Sequence, residues 1–170
     1  MAPKKPASLK VRALQWLAQR EHSRAELQGK LLRLLRGSES DETTAAAEVD
    51  TLLDWLTAHG FLSQARFVES RVHAREKRFG NLRIERELQQ HGVALDADAL
   101  QALKASEFER AQSIWRKKYA ATPASDTAAR LRQMRFLVGR GFSAEVVRRV
   151  LRDAAATDRA ADADPANGDD

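Results

Sequence analysis

The sequence predicts an all-α protein of about nine helices, built as tandem three-helix repeats in an elongated, curved array. Three observations carry this. Apolar residues recur at helical spacing almost everywhere between residues 9 and 152. Eight Gly and four Pro in 170 residues are too few for the many tight turns of an all-β chain. Ser, Asp and Gly stand where helices should start and stop. A 43% hydrophobic content suffices for a core, and 31% charged with 6% aromatic residues suits helices with large solvated faces.

Leu14, Leu17 and Ala18 open the helical pattern, with Trp16 close by. REHSRAEL then reads as a break and restart. Ser23 is a good N-cap and Glu26, three residues on, completes a capping box, in a second helix continued by Leu27, Leu31, Leu34 and Leu35. After a GSESDE loop, Val49, Leu52, Leu53 and Leu56 form the stripe of a third helix, closed by His59-Gly60. A fourth runs from near Ser63 to about Arg78. Gly80 separates it from a fifth, NLRIERELQQ, which ends at His91-Gly92. Asp96 caps a short sixth helix, and Ser106 with Glu109 forms a second capping box that opens a seventh. Thr122 and Pro123 mark the start of an eighth that ends at Gly141, and Ser143 caps the ninth, AEVVRRVLRD.

These helices fall into threes. Each trio holds a related segment: AELQGK at 25–30, RELQQH at 86–91 and RFLVGR at 135–140, with Leu27, Leu88 and Leu137 aligned. The expected organisation is a flexible N-terminus over 1–8, three-helix units over 9–59, 60–105 and 106–152, and a disordered acidic tail over 153–170, which lacks large apolar residues.

Composition narrows the function. With no cysteine, disulfides and thiolate chemistry are excluded. MAPKKPASLK has no apolar run after its charges, and no stretch approaches the ~20 apolar residues that span a bilayer. The expectation is a cytoplasmic protein without membrane contact. Residues 153–170 hold six Asp against one Arg, net −5, which leaves 28 basic and 18 acidic residues, net +10, in 1–152. A basic body of this kind suits a polyanionic or mixed-charge partner.

Catalytic and metal chemistry find no foothold. His22, His59, His73 and His91 show no i, i+4 pair, and three of them stand at helix ends, so no metal site is expected. Gly139-Arg140-Gly141 ends a helix and lacks a phosphate-loop pattern, so no nucleotide or other cofactor is expected. Glu85 with Glu87, and Glu107 with Glu109, lie two apart on helices and read as solvated surface. Phe108, Trp115 and Tyr119, at i, i+7 and i+11, read as a core stripe rather than a base-stacking platform.

The basic residues are more informative. On the last helix Val146, Val147, Val150 and Leu151 form one arc, and Arg148, Arg149 and Arg152 fall opposite. Arg71, Arg75 and Arg78 make a second stripe on the fourth helix, beside Lys77, with Phe67 on the same azimuth. Arg116, Lys117, Lys118, Arg130, Arg132, Arg135 and Arg140 extend this field. Together they form the candidate contact surface for a partner protein or DNA.

Three segments resemble successive parts of the RecX family: LAQREHSRAELQGKL (17–31), LDWLTAHGFLSQARFVESRVHAREKRFGNLRIERELQQHGV (53–93) and MRFLVGRGFSAEVVRRVL (134–151). The FG-x-x-R-I-x-x-E-L core at Phe79–Leu88, followed by R-F-L-x-x-R-G-F-S at Arg135–Ser143, is the specific part. The family often has Asp where Ser63 or Gln64 stands and Lys where His91 stands. The resemblance implies a regulator that associates with the RecA filament on single-stranded DNA; the missing catalytic set adds the expectation of a non-enzymatic protein, taken as a monomer. Such a regulator limits filament growth or promotes its loss, so that strand exchange, ATP hydrolysis and repressor cleavage fall. Some affinity for single- or double-stranded DNA would accompany this. The residues alone leave two rivals open, a free-standing helical DNA-binding protein and a repeat adaptor for an unrelated protein.

Overall fold

The computed structural model describes residues 8–36, 41–121, 124 and 126–162, the last five by backbone alone. Eight helices and no strand are present among them: α1 Leu9–Gln19, α2 Arg24–Leu35, α3 Glu42–Ala58, α4 Gln64–Glu76, α5 Asn81–Gln90, α6 Ala97–Tyr119, α7 Thr127–Gly139 and α8 Ala144–Asp162. The local start signals act as their chemistry dictates. Ser8, Ser23, Asp41, Asp96 and Asp126 each accept a hydrogen bond from an N–H of the first turn. Ser63 and Ser143 do the same for Arg66 and Val146. Thr122 and Pro123, expected to start a helix, lie outside the described residues.

Three stops share one design. Gly60, Gly92 and Gly141 have positive φ, and the N–H groups of Phe61, Val93 and Phe142 reach back to the carbonyls of Leu56, Leu88 and Leu137. α3, α5 and α7 therefore share one closure, a correspondence that joins the second and third of the aligned segments but not the first, which lies in α2. Leu27, Leu88 and Leu137 are all fully buried. Leu27, however, opens α2, whereas the other two sit near helix ends, so the first member of that alignment matches in composition and not in position.

Two expectations fail. The sixth and seventh helices are one, α6, running unbroken through Ser106. A capping box forms only if the backbone leaves the helix, and LKASEFERA holds neither Gly nor Pro to make it leave. The Ser106 hydroxyl instead bonds the Leu103 carbonyl. Likewise the acidic tail is not structureless from Asp153. AAATDRAAD is alanine-rich, and α8 continues to Asp162 with Ala154 packed against a core.

The chain divides into two compact units, Met1–Arg71 with Leu88–Ala94, and Val72–Glu87 with Leu95–Asp170. In the first, α2 packs on α1 and α3 around Ala13, Leu27, Leu31, Val49, Leu53, Leu56 and Leu62, flanked by Trp16 and Trp55. His22 is 1% exposed just before the α2 cap: its Nδ1 faces the Arg20 carbonyl at 2.9 Å and its Nε2 faces Lys30 Nζ at 2.8 Å. A lysine ammonium can only donate, so the ring is neutral, with its proton on Nδ1. His91 meets the buried Phe67 ring edge-on, and His59 stacks on Trp55, each at a helix end.

In the second unit α6, α7 and α8 enclose Ala111, Trp115, Leu137, Phe142, Val147, Val150 and Leu151. Phe108, Trp115 and Tyr119 all join this core, as their spacing predicts. The Trp115 indole N–H donates to Gln133 Oε1 at 3.0 Å.

Candidate interaction surface

The basic residues picked out from sequence do not share one fate. On α8 the helical wheel holds. Val147, Val150 and Leu151 are buried, which turns Arg148, Arg149 and Arg152 outward, all exposed. Arg149 lies over the Phe108 ring at 3.9 Å, so its stem and guanidinium are held against α6. At the other end of α6, Arg116, Lys117 and Lys118 are exposed in the last turn, where the helix dipole favours cations. Lys118 sits 4.2 Å over Phe136. Arg130, Arg132 and Arg135 are exposed on α7.

The α4 stripe is different. Arg71 is half-buried over the Phe67 ring, and Arg75 grips Glu87 through Nε at 2.9 Å and Nη2 at 3.1 Å. That fork-on-carboxylate pair consumes the donors an external anion would need. Lys77 and Arg78 remain exposed. Arg140 is half-buried, donating to the Arg78 carbonyl at 3.0 Å and lying over Phe136 at 4.7 Å.

Three residues that sequence reasoning passed over organise this region. Glu107, read as solvated surface, is 4% exposed. Its Oε1 accepts the N–H of Asn81 and of Ser143, and its Oε2 accepts the Ser143 hydroxyl. One carboxylate thus serves the N-termini of both α5 and α8, where helix dipoles favour a negative charge. Arg110 donates to the carbonyls of Glu76, Phe79 and Leu103 and to the side chains of Asn81 and Ser106. Burial lowers its pKa, while the charges of Glu107 and Glu76 pull it back up. Arg83 stacks at 4.1 Å on Phe79, the ring that Arg78 also approaches at 5.6 Å. The signal available for Arg83 was its place inside the FG-x-x-R motif.

Backbone contacts then lock the two motif turns together. Gly80 N–H donates to the Arg140 carbonyl at 2.9 Å, and Leu82 N–H donates to the Gly141 carbonyl at 3.0 Å. A Cβ on Gly80 would stand 2.3 Å from Gly141 O, so only glycine admits this approach. The FG motif and the RGFS motif, 60 residues apart in sequence, are therefore two halves of one joint.

Among the described residues no cluster of His, Cys, Asp and Glu could hold a metal ion, and no helix is long and apolar enough to cross a membrane. The arrangement presents cations held on aromatic rings and helix ends, which suits binding to an anionic or acidic partner.

Comparison with known proteins gives consistent matches. Residues 63–97 match the model described as RecX, second three-helix domain, and residues 105–151 the model for RecX, third three-helix domain. The chain is 49% identical over 155 residues to the regulatory protein RecX of Leptothrix cholodnii, covering 89% of this chain and 93% of that protein. It is 44% identical over 154 residues to the regulatory protein RecX of Ralstonia nicotianae, covering 89% and 91%. The crystal structure of RecX from Lactobacillus salivarius shares the fold, with a TM-score of 0.65 at 17% identity over 87% of this chain and 95% of that one.

Proposed function

The chain belongs to the RecX family, and from that premise we propose that it is a regulator that binds the RecA–single-stranded DNA filament. It depresses recombinase, ATPase and coprotease activities by blocking filament growth or promoting disassembly. It acts as a cytoplasmic monomer by contact and not by catalysis, with no metal or nucleotide of its own. Three-helix units over 9–59, 60–105 and 106–152 are its working modules.

The observation that supports this most is the exposed Arg148, Arg149 and Arg152 face of α8, backed by a buried valine arc. Those arginines contribute little to the core, so their side chains are available for an anionic partner. Arg116, Lys117, Lys118, Arg130, Arg132 and Arg135 broaden the same field, with Lys77 and Arg78 on the α4 side. Arg140 adds to it from a half-buried position, whereas Arg75 is taken up by Glu87.

The test is co-sedimentation of the full chain with RecA filaments alongside the RecA ATPase rate, with bare single-stranded DNA as the parallel probe. Binding to filaments with a fall in ATPase is expected. Tight binding to bare DNA without effect on RecA would mark a free-standing DNA-binding protein instead.

A further inference from the structure

We propose that the joined turns of α4–α5 and α7–α8 form a docking surface for an acidic protein segment that carries large apolar side chains. This rests on the filament reading and assigns this particular surface to the protein component and not to the DNA.

The surface is rigid before any partner arrives. The Gly80 and Leu82 hydrogen bonds to the Arg140 and Gly141 carbonyls, with the Arg140 guanidinium on the Arg78 carbonyl, pin one turn to the other. Gly80 and Gly141 permit an approach that a Cβ at either would block. A preformed surface loses little conformational entropy on binding.

Two large apolar side chains stand on it unburied. Leu82 is 54% exposed and Val138 is 52% exposed, more than the other exposed large hydrophobic residues among those described. One hydrogen-bonded run connects them, since Leu82 N–H donates to Gly141 O and Gly141 N–H donates to Val138 O. Folding gains nothing from leaving both in water, and each would contribute only if a partner covered it.

Around them are cations without counter-charges. Among the described residues no carboxylate pairs with Arg78, Arg83 or Arg140, in contrast to Arg20, Arg24, Arg66 and Arg75, which each hold an Asp or Glu. Arg78 and Arg83 are approached by the Phe79 ring and Arg140 by Phe136. Ring contact fixes a guanidinium while leaving edge N–H groups for an outside acceptor.

The combination decides the class of partner. A phosphodiester backbone offers chiefly charge, and its sugars and base edges give Leu82 and Val138 less to bury against than the aliphatic and aromatic side chains of a protein do. Protein interfaces set apolar anchors within a polar rim in which arginine is frequent. The three unpaired arginines select an acidic one. The α8 arginine face is the contrast: no large hydrophobic residue of the described part of α8 is exposed beside it, as suits phosphate.

The experiment compares the full chain with two variants, Leu82→Ser with Val138→Ser, and Arg78→Gln with Arg83→Gln. Each is titrated against RecA filaments on poly(dT) and against bare poly(dT), across salt, with circular dichroism confirming the fold. The serine variant removes exposed apolar surface and so should not unfold the chain. Both variants are expected to bind filaments about tenfold more weakly or worse, as loss of interface anchors does. Bare poly(dT) affinity should stay within about twofold, and the glutamine variant should show a flatter salt dependence on filaments. Wild-type binding matched by both variants overturns the surface. Parallel loss of affinity for filament and bare poly(dT) overturns it too, making it a phosphate site. A wild type that ignores filaments overturns the family-based reading along with it.

Discussion

Glu107 on α6 and Ser143 at the start of α8 meet through two hydrogen bonds, backbone N–H to Oε1 at 3.2 Å and hydroxyl to Oε2 at 3.1 Å. The same Oε1 takes the N–H of Asn81. Replacing Glu107 by Ala leaves these buried donors without an acceptor. Hydrogen bonds to a charged group contribute about 1.5–3 kcal/mol each, net of the exchange with water. Glu107→Ala should cost about 3 kcal/mol in urea unfolding, and Glu107→Gln, which keeps one oxygen, clearly less. Equal, small losses for both would show that the carboxylate is not holding the two helix starts.

Gly80 predicts a steric result with an internal control. An alanine Cβ there would meet the Gly141 carbonyl oxygen and Phe142 nitrogen at 2.3 Å, both backbone atoms with little room to yield. Gly80→Ala should destabilise by about 3 kcal/mol, at the upper end of overpacking. Gly139 ends α7 with nothing within 4 Å of its would-be Cβ. Gly139→Ala should instead stabilise by about 0.5 kcal/mol through helix propensity. Thermal melts of the two variants should move in opposite directions.

His22 makes stability fall with acid. Burial lowers its pKa from the usual 6.5, the positive charges of Arg20 and Lys30 push the same way, and the Arg20 carbonyl and Glu26 oppose them. Well above the ordinary imidazole value of 6.5 both folded and unfolded imidazoles are neutral, and the contribution is complete. As pH drops below 6.5 the unfolded chain binds a proton that the folded one resists, and stability is lost. Urea midpoints measured from pH 7.5 to 5.5 should decline in the native sequence and decline less in His22→Gln. Identical slopes would show that this ring titrates normally.

Removal of everything after Arg152 should be felt. It deletes Ala154, which packs against the second core, and the final turns of α8. A loss of about 1 kcal/mol lowers Tm by about 4 °C for a chain of this size. Truncation after Asp162 removes ADPANGDD, which holds no large apolar side chain to bury, and should leave the melt unchanged. Equal melts for both truncations would mean that the extension of α8 adds nothing.

The α8 arginines offer a functional separation. Arg148, Arg149 and Arg152 changed together to Ala should keep the fold, with about 0.5–1 kcal/mol lost from the Arg149–Phe108 contact. If they meet phosphate, the slope of log K against log salt on DNA becomes shallower by nearly one per contact removed. If they meet acidic protein, bare-DNA binding holds while RecA inhibition falls. Unchanged inhibition across salt would make this face plain solvated surface.

Much of the molecule was legible because its causes are local. A Ser or Asp cap acts on an N–H three residues on, and a Gly closure on a carbonyl within the same turn. The valine and arginine arcs of α8 follow from 100° per residue. The repeated closures and the segments that resemble the RecX family are likewise properties of the string of residues. Where two local signals competed, at Ser106, the capping box gave way to the continuing helix, which no Gly or Pro interrupts.

Only the tertiary structure decided which charges are occupied. Arg75 and Glu87 are twelve residues apart, Glu107 and Ser143 thirty-six, and Arg140 and the Arg78 carbonyl sixty-two. No helical period relates such positions. The same is true of Gly80 and Gly141, whose approach sets Arg83, never singled out by composition, against the α7–α8 turn. A residue's type and spacing fix the face of the helix it occupies. Whether its charge meets a partner is fixed by the neighbouring element, through distances that depend on how the whole core packs.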